Sequence, residues 1–200
     1  MSYEFTKDWF TNHAEQVWPE IFSQMPSPRS ILEIGSYEGR SACWLLDNAM
    51  PDGGTLVCVD TWTGGDEHKA AGDDMAAVKQ RFDRNIKIAH DATPAFVNLK
   101  VIQNTSFNAM SKLACKNEDF DFIYIDGSHR AQDVLTDACM AFGLLKVGGV
   151  IAFDDYLWGT RENGPILDRP KIAIDMFANI FEPSLRIVFM GYQMIFQRTK

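Results

Sequence analysis

Short unbroken apolar runs, each closed by polar or turn-forming residues, recur along the chain. The first is Ser30-Ile31-Leu32-Glu33-Ile34, which follows Pro26 and Pro28. Others are 55–60, entered through Pro51-Asp52-Gly53-Gly54, then 100–103, 120–126 and 149–154. Runs that are apolar throughout, rather than alternating, predict strands covered on both faces. Between them apolar residues return at steps of three and four. Ala42, Cys43, Leu45 and Leu46 share one side of 41–48, and Met75, Val78, Phe82 and Ile86 one side of 74–89. Val134, Leu135, Ala138, Phe142 and Leu145 repeat likewise after Ser128. Such stripes are helical, and strands alternating with helices predict parallel βαβ units with right-handed crossovers. The rhythm breaks at 185–189 and 193–196, where two β-like runs flank Met190-Gly191-Tyr192 and predict an antiparallel hairpin. The expected class is therefore α/β, a mostly parallel sheet ending in an antiparallel hairpin. Residues 3–25, with Trp9, Phe10, Val17, Trp18, Ile21 and Phe22, read either as a helix packed on the domain or as a lid.

Composition narrows the classes of function. The 200 residues suffice for one domain with a full core, and 46% hydrophobic with 23% charged residues is ordinary for a globular chain. The formal charge of −8, with no Lys/Arg run, lacks the footprint of a nucleic-acid binder or a membrane-surface protein. Cys43, Cys58, Cys115 and Cys139 form no C-x-x-C pair and lie in apolar runs, which predicts buried free thiols in a reducing compartment. No apolar stretch reaches 18 residues, and the first eight residues do not resemble a secretory signal, so a cytoplasmic location is expected.

Glu33-Ile34-Gly35-Ser36-Tyr37-Glu38-Gly39-Arg40-Ser41 joins the first strand to the first helix. Gly35 permits the turn and leaves room for a ligand; Gly39 permits close packing at the start of a helix whose free N–H groups face the cleft. The spacing is not that of a dinucleotide fingerprint, because Tyr37 and Arg40 stand where the second and third glycines belong, and no Gly-Lys-Ser/Thr follows. Asp60 closes the second strand, 25 residues after Gly35. An acid there is placed to accept the hydroxyls of a ribose. Trp62 follows, suited to walling a nucleoside.

Glu33-x-Gly35-x-x-x-Gly39, followed by Val59-Asp60-Thr61-Trp62-Thr63-Gly64, resembles the class I S-adenosylmethionine-dependent methyltransferases. More narrowly it resembles the methyltransferase domain 24 group, whose Tyr-Ile-Asp-Gly-x-His segment has its counterpart in Tyr124-Ile125-Asp126-Gly127-Ser128-His129. One departure is Gly65, an extra glycine before Asp66. The resemblance covers nearly the whole chain. It implies a Rossmann-like three-layer α/β/α sandwich with a seven-stranded sheet, divided as a helical cap or lid at 1–28 and a methyltransferase domain at 29–200. It also implies S-adenosylmethionine as cofactor, held by Glu33, Gly35, Ser36, Tyr37, Gly39, Ser41, Asp60, Thr61, Trp62, Ser106, Phe107 and Asp126. Ser106 would meet the adenine; a plain N-cap for the following helix is the alternative.

A second resemblance is to the metal-dependent catechol and caffeoyl-coenzyme A type O-methyltransferases. Asp126 ends the fourth strand, His129 lies three positions on, and Asp154-Asp155 end the fifth strand 28 residues after Asp126. The departures are His129, where the catechol group has lysine, and Asp155, which replaces asparagine. The resemblance implies Mg²⁺ or another hard divalent cation on Asp126, Asp154 and Asp155. The chemistry agrees: carboxylates suit hard cations, and His129 is a base suited to neutral pH. Against it, Asp126 reads as a helix cap, the acid pair as loop flanks and His129 as structural. His13, His68 and His90 read as surface residues, and the Gly-rich acidic stretch 63–74 as a mobile loop.

The leading expectation is a methyltransferase acting on the hydroxyl of a small molecule, assisted by a metal. Three alternatives stand beside it: metal-independent methylation of nitrogen or carboxylate, a non-enzymatic nucleoside-binding module, and an NAD-dependent oxidoreductase disfavoured by the glycine spacing. The expected partner is a small-molecule acceptor, not nucleic acid or membrane, and the sequence leaves room for a homo-oligomer.

Overall fold

The computed structural model describes residues 2–159 and 165–200. After α1 (Ala14–Ser23) come β1 (Ser30–Ile34), α2 (Arg40–Asn48), β2 (Gly54–Asp60), α3 (Asp66–Ala71), α4 (Met75–Ala92) and β3 (Val97–Gln103). Then follow α5 (Ser106–Cys115), β4 (Phe120–Ile125), α6 (Ala131–Leu144), β5 (Leu145–Phe153), α7 (Pro170–Phe181), β6 (Leu185–Met190) and β7 (Met194–Arg198). The seven strands form one sheet in the order β3-β2-β1-β4-β5-β7-β6. β1 to β5 pair in parallel, and β7 pairs antiparallel with both β5 and β6.

Successive residues of a strand point to opposite faces, and here each face has its own core. Ile31, Leu56, Phe122 and Ala152 meet Trp18 of α1, Leu45 of α2 and Phe82 of α4. Leu32, Val57, Ile123 and Ile151 meet Met110 of α5, Val134 of α6 and Phe177 of α7. Burial on both sides explains the unbroken apolar runs of the central strands and gives the three-layer, Rossmann-like α/β/α sandwich. The topology places the site: β1 lies between β2 and β4, so successive crossovers leave it in opposite directions. The crevice at such a switch point, beyond the carboxyl ends of the strands, is where open α/β sheets bind ligands.

Several sequence expectations need correction. β3 begins at Val97 rather than 100; as an edge strand it is only half covered, so Asn98 and Lys100 interrupt its apolar run. β5 begins at Leu145, four residues early, because its pairing with β4 shifts register between Phe120 and Phe122. α7 was not expected; its stripe of Ala173, Ile174 and Phe177 is buried. The stretch 63–74 contains α3, ended by Gly72 in the left-handed region. All four cysteines are free, but Cys115 and Cys139 are exposed, on the outer sides of α5 and α6. His13, His68 and His90 are half-buried, not surface residues: His13 stacks on Tyr192 at 4.0 Å, His68 on Tyr37 at 5.1 Å, and His90 Nε2 bonds Val97 O at 2.8 Å.

Candidate active site

The turn after β1 is shaped by close approach. Gly35 has φ +86, and a Cβ on it would lie 1.9 Å from the carbonyl oxygen of Asp126. Its smallness therefore makes room for the end of β4 rather than for a ligand. Gly39, at φ +82, is the N-cap of α2 and sits against the Phe82 ring. Glu33 is fully buried on the α2 side of β1, accepting hydrogen bonds from Ser36 Oγ and Ser41 Oγ, both at 2.5 Å. Burial pushes its pKa up to about 7 against the help of these two hydroxyls. Glu33, Ser36 and Ser41 thus brace the turn from beneath.

Asp60, partly exposed at the end of β2, accepts from Ser36 N and Tyr37 N on Oδ2, both at 2.9 Å, and from Trp62 N on Oδ1 at 2.7 Å. A carboxylate offers about four acceptor positions, so one on Oδ1 stays open to a ligand hydroxyl. Tyr37, at φ +46, carries the turn between the two glycines. A concave backbone loop beside a partly exposed acid fits the ribose and tail of S-adenosylmethionine. Trp62 does not wall that cleft. Its ring is buried 4.8 Å from Phe82, and Nε1 donates to Tyr37 O at 2.9 Å, because its own backbone at φ +49 turns it inward. The Thr61 hydroxyl pairs with that of Thr63 at 2.9 Å. Thr105, not Ser106, caps α5, through Asn108 N at 3.3 Å. Ser106 instead faces Asp137 of α6, whose carboxyl it helps to hold down against burial, and Phe107 is exposed.

The acids do come together at the ends of β4 and β5. Tyr124 OH donates to Asp154 Oδ2 and, at 3.1 Å, to Asp126 Oδ2. Burial and the neighbouring acids hold Asp126 well above the usual carboxylate range, and burial followed by Asp155 pushes Asp154 up to about 6. The cap reading of Asp126 fails, since the N-cap of α6 is Arg130. Asp155, at φ +57, turns the other way. Its Oδ2 lies 2.8 Å from His129 Nε2, and its Oδ1 accepts from Tyr192 OH at 3.0 Å. His129 stacks on Trp158 at 4.2 Å, and its Nδ1 is buried with no hydrogen-bond partner. Burial opposes charge on this ring, but the bond to Asp155 and the charges of Asp155, Glu67 and Asp154 outweigh it and raise the pKa.

Mg²⁺ would need oxygens of Asp126, Asp154 and Asp155 to face one point. Two of these acids share a phenol hydroxyl and the third faces a histidine and another phenol, so the set as placed does not fit the ion. Among the described residues no group of three His, Cys, Asp or Glu side chains is placed to hold a metal. Sequence reasoning missed Tyr124, whose phenol sits in an apolar run and reads as core, and Tyr192 and Gln193, which read as the turn and the first residue of a terminal hairpin strand. It also missed Glu38, a buried acid bound by the backbone N–H of Thr6 at 2.6 Å and by Arg81 at 2.5 Å.

A model of the methyltransferase domain family matches residues 32–156, most of the chain. The chain belongs to that family, and it is a class I S-adenosylmethionine-dependent methyltransferase. Solved structures share the fold at low identity. A putative O-methyltransferase from Klebsiella pneumoniae is 17% identical with a TM-score of 0.64, covering 94% of this chain and 81% of its own. The O-methyltransferase TomG from Streptomyces achromogenes, involved in tomaymycin synthesis and in complex with SAM, is 19% identical at 0.63, covering 87% and 74%. An O-methyltransferase from Bacillus cereus in complex with SAH is 20% identical at 0.63, covering 100% and 84%. No curated protein matches by sequence. Among the described residues no helix is long and apolar enough to cross a membrane.

Proposed function

We propose that the protein transfers the methyl group of S-adenosylmethionine to a hydroxyl of a small molecule, with His129 as general base. The observation that carries this reading is the state of the imidazole. Nε2 is engaged by Asp155, while Nδ1 is buried with no hydrogen-bond partner, the Glu67 carboxylate lying 3.9 Å away, beyond hydrogen-bond reach. A neutral ring whose Nε2–H is donated to a carboxylate keeps its lone pair on Nδ1, the arrangement that makes histidine a base elsewhere. Tyr37, the Gly35–Gly39 turn and Asp60 would hold the cofactor, which when bound supplies an electrophilic sulfonium methyl. His129 Nδ1 would take the acceptor's hydroxyl proton as that oxygen attacks the methyl group, the carbon–sulfur bonding pair leaving on the sulfur. Asp155 balances the imidazolium that results. The Bacillus cereus and TomG structures are both of O-methyltransferases, which supports an oxygen acceptor over nitrogen; a base poised beside the site suits a hydroxyl, which must lose a proton, rather than an ionised carboxylate. The formal charge of −8 supports a small molecule over nucleic acid.

Metal assistance, which the resemblance to the catechol-type enzymes implies, is the alternative that the test separates from this reading. The test is transfer of labelled methyl from S-adenosylmethionine to a panel of small hydroxyl, amine and carboxylate compounds, with and without saturating EDTA. The proposal expects hydroxyl methylation that survives EDTA and falls roughly 10²–10⁴-fold in His129→Ala, with S-adenosylhomocysteine binding intact. Loss of activity in EDTA would transfer the role to a metal. An unchanged rate in His129→Ala would remove the base.

A further inference from the structure

The turn between β6 and β7 reaches back over the acids. It is closed by Gly191 N donating to Gln193 O at 2.9 Å and anchored by Tyr156 N donating to Tyr192 O at 2.9 Å. Its two side chains each meet one acid: Gln193 Nε2 donates to Asp154 Oδ2 at 3.1 Å, and Tyr192 OH to Asp155 Oδ1 at 3.0 Å. α1 and the residue before it back them both. Trp18 Nε1 donates to Gln193 Oε1 at 3.0 Å, and the His13 ring lies 4.0 Å from that of Tyr192 at 13°. Asp155 needs such a restraint. It is a non-glycine residue at φ +57, a conformation that persists only when the surroundings over-determine it, and His129 holds just one of its oxygens.

We propose that Tyr192 is a positioning residue for methyl transfer: its hydroxyl fixes the second oxygen of Asp155, and so the carboxylate that orients His129. The proposal rests on His129 being the base. With both carboxylate oxygens held, the plane of Asp155 is set, Nε2 keeps the proton and Nδ1 stays the acceptor. With Oδ1 released, the carboxylate rotates and the imidazole loses its tautomer preference.

The chain has four histidines, so a long-range proton–nitrogen NMR spectrum of the rings is readily assigned, with His129→Ala identifying the signal. The protein is saturated with S-adenosylhomocysteine and held at a pH where the rings are neutral. The unaltered protein should show His129 as one tautomer, protonated at Nε2. Tyr192→Phe keeps the ring on His13 and removes only the hydroxyl. It should give a mixture of tautomers and exchange the ring N–H about tenfold faster, as one lost hydrogen bond predicts. Asp155→Asn should abolish the same preference, and adding Tyr192→Phe to it should change nothing more. Unmoved His129 signals in Tyr192→Phe, or in Asp155→Asn, would overturn the proposal. Full turnover in His129→Ala would instead overturn the reading it rests on, whatever the spectra show.

Discussion

Gly35 shows how a residue is right for a reason other than the expected one. Its place in the glycine pattern was legible, but the space it leaves is filled by the Asp126 carbonyl, which ties the Gly35–Gly39 turn to the end of β4. Glu33 gives a prediction at the same scale. Burial raises its pKa from the ordinary 4.5 to about 7, so the folded protein binds more protons than the unfolded chain between these values. Its contribution is therefore fully present below pH 4.5 and lost as pH rises through 7. By linkage the loss amounts to roughly 3 kcal/mol. Glu33→Gln should flatten the pH dependence: denaturant midpoints of the unaltered, cofactor-free protein should fall from pH 5 to 8 relative to the variant. Parallel curves would mean that Glu33 is ionised throughout.

Elements were legible in proportion to their burial. The central strands β1, β2 and β4 are covered on both faces and declared themselves as apolar runs. β3, at the sheet's edge, mixes Asn98 and Lys100 into its first half and was read three residues short. α3 is six residues long with none buried, so no stripe marks it in a segment rich in glycine. α7 has a stripe, but it follows 160–164, and its signal was passed over beside the hairpin. α4 was found by its stripe, and Asp74 caps it by accepting from Ala76 N at 3.0 Å and Ala77 N at 3.2 Å. Asp74→Ala should cost about 1 kcal/mol in urea unfolding, and Asp74→Ser should restore most of it. Equal stability of the alanine variant would mean that tertiary packing alone fixes the start of α4.

At the scale of the whole molecule, the parallel sheet assembles the site. Asp60 and Asp126 are 66 positions apart and Asp126 and Asp154 are 28 apart, yet all three lie at or just beyond the carboxyl ends of β2, β4 and β5. That convergence was legible from strand endings alone. The direction of each acid was not, because it depends on Tyr124, Tyr192 and the positive φ of Asp155. The N-terminal segment reaches the Gly35–Gly39 turn. Lys7 Nζ pairs with Asp73 at 2.5 Å, and the Trp9 ring lies 5.2 Å from Tyr37, so residues before α1 and after α3 meet beside the Gly35–Gly39 turn.

The account stands on that turn and Asp60 seating the cofactor, which calorimetric titration with S-adenosylhomocysteine tests most directly. It predicts one site per chain of micromolar affinity, weakened by about 1.5–3 kcal/mol in Asp60→Ala through loss of a charge-assisted contact to the ribose. No binding by the unaltered protein, or equal affinity in the variant, would contradict it.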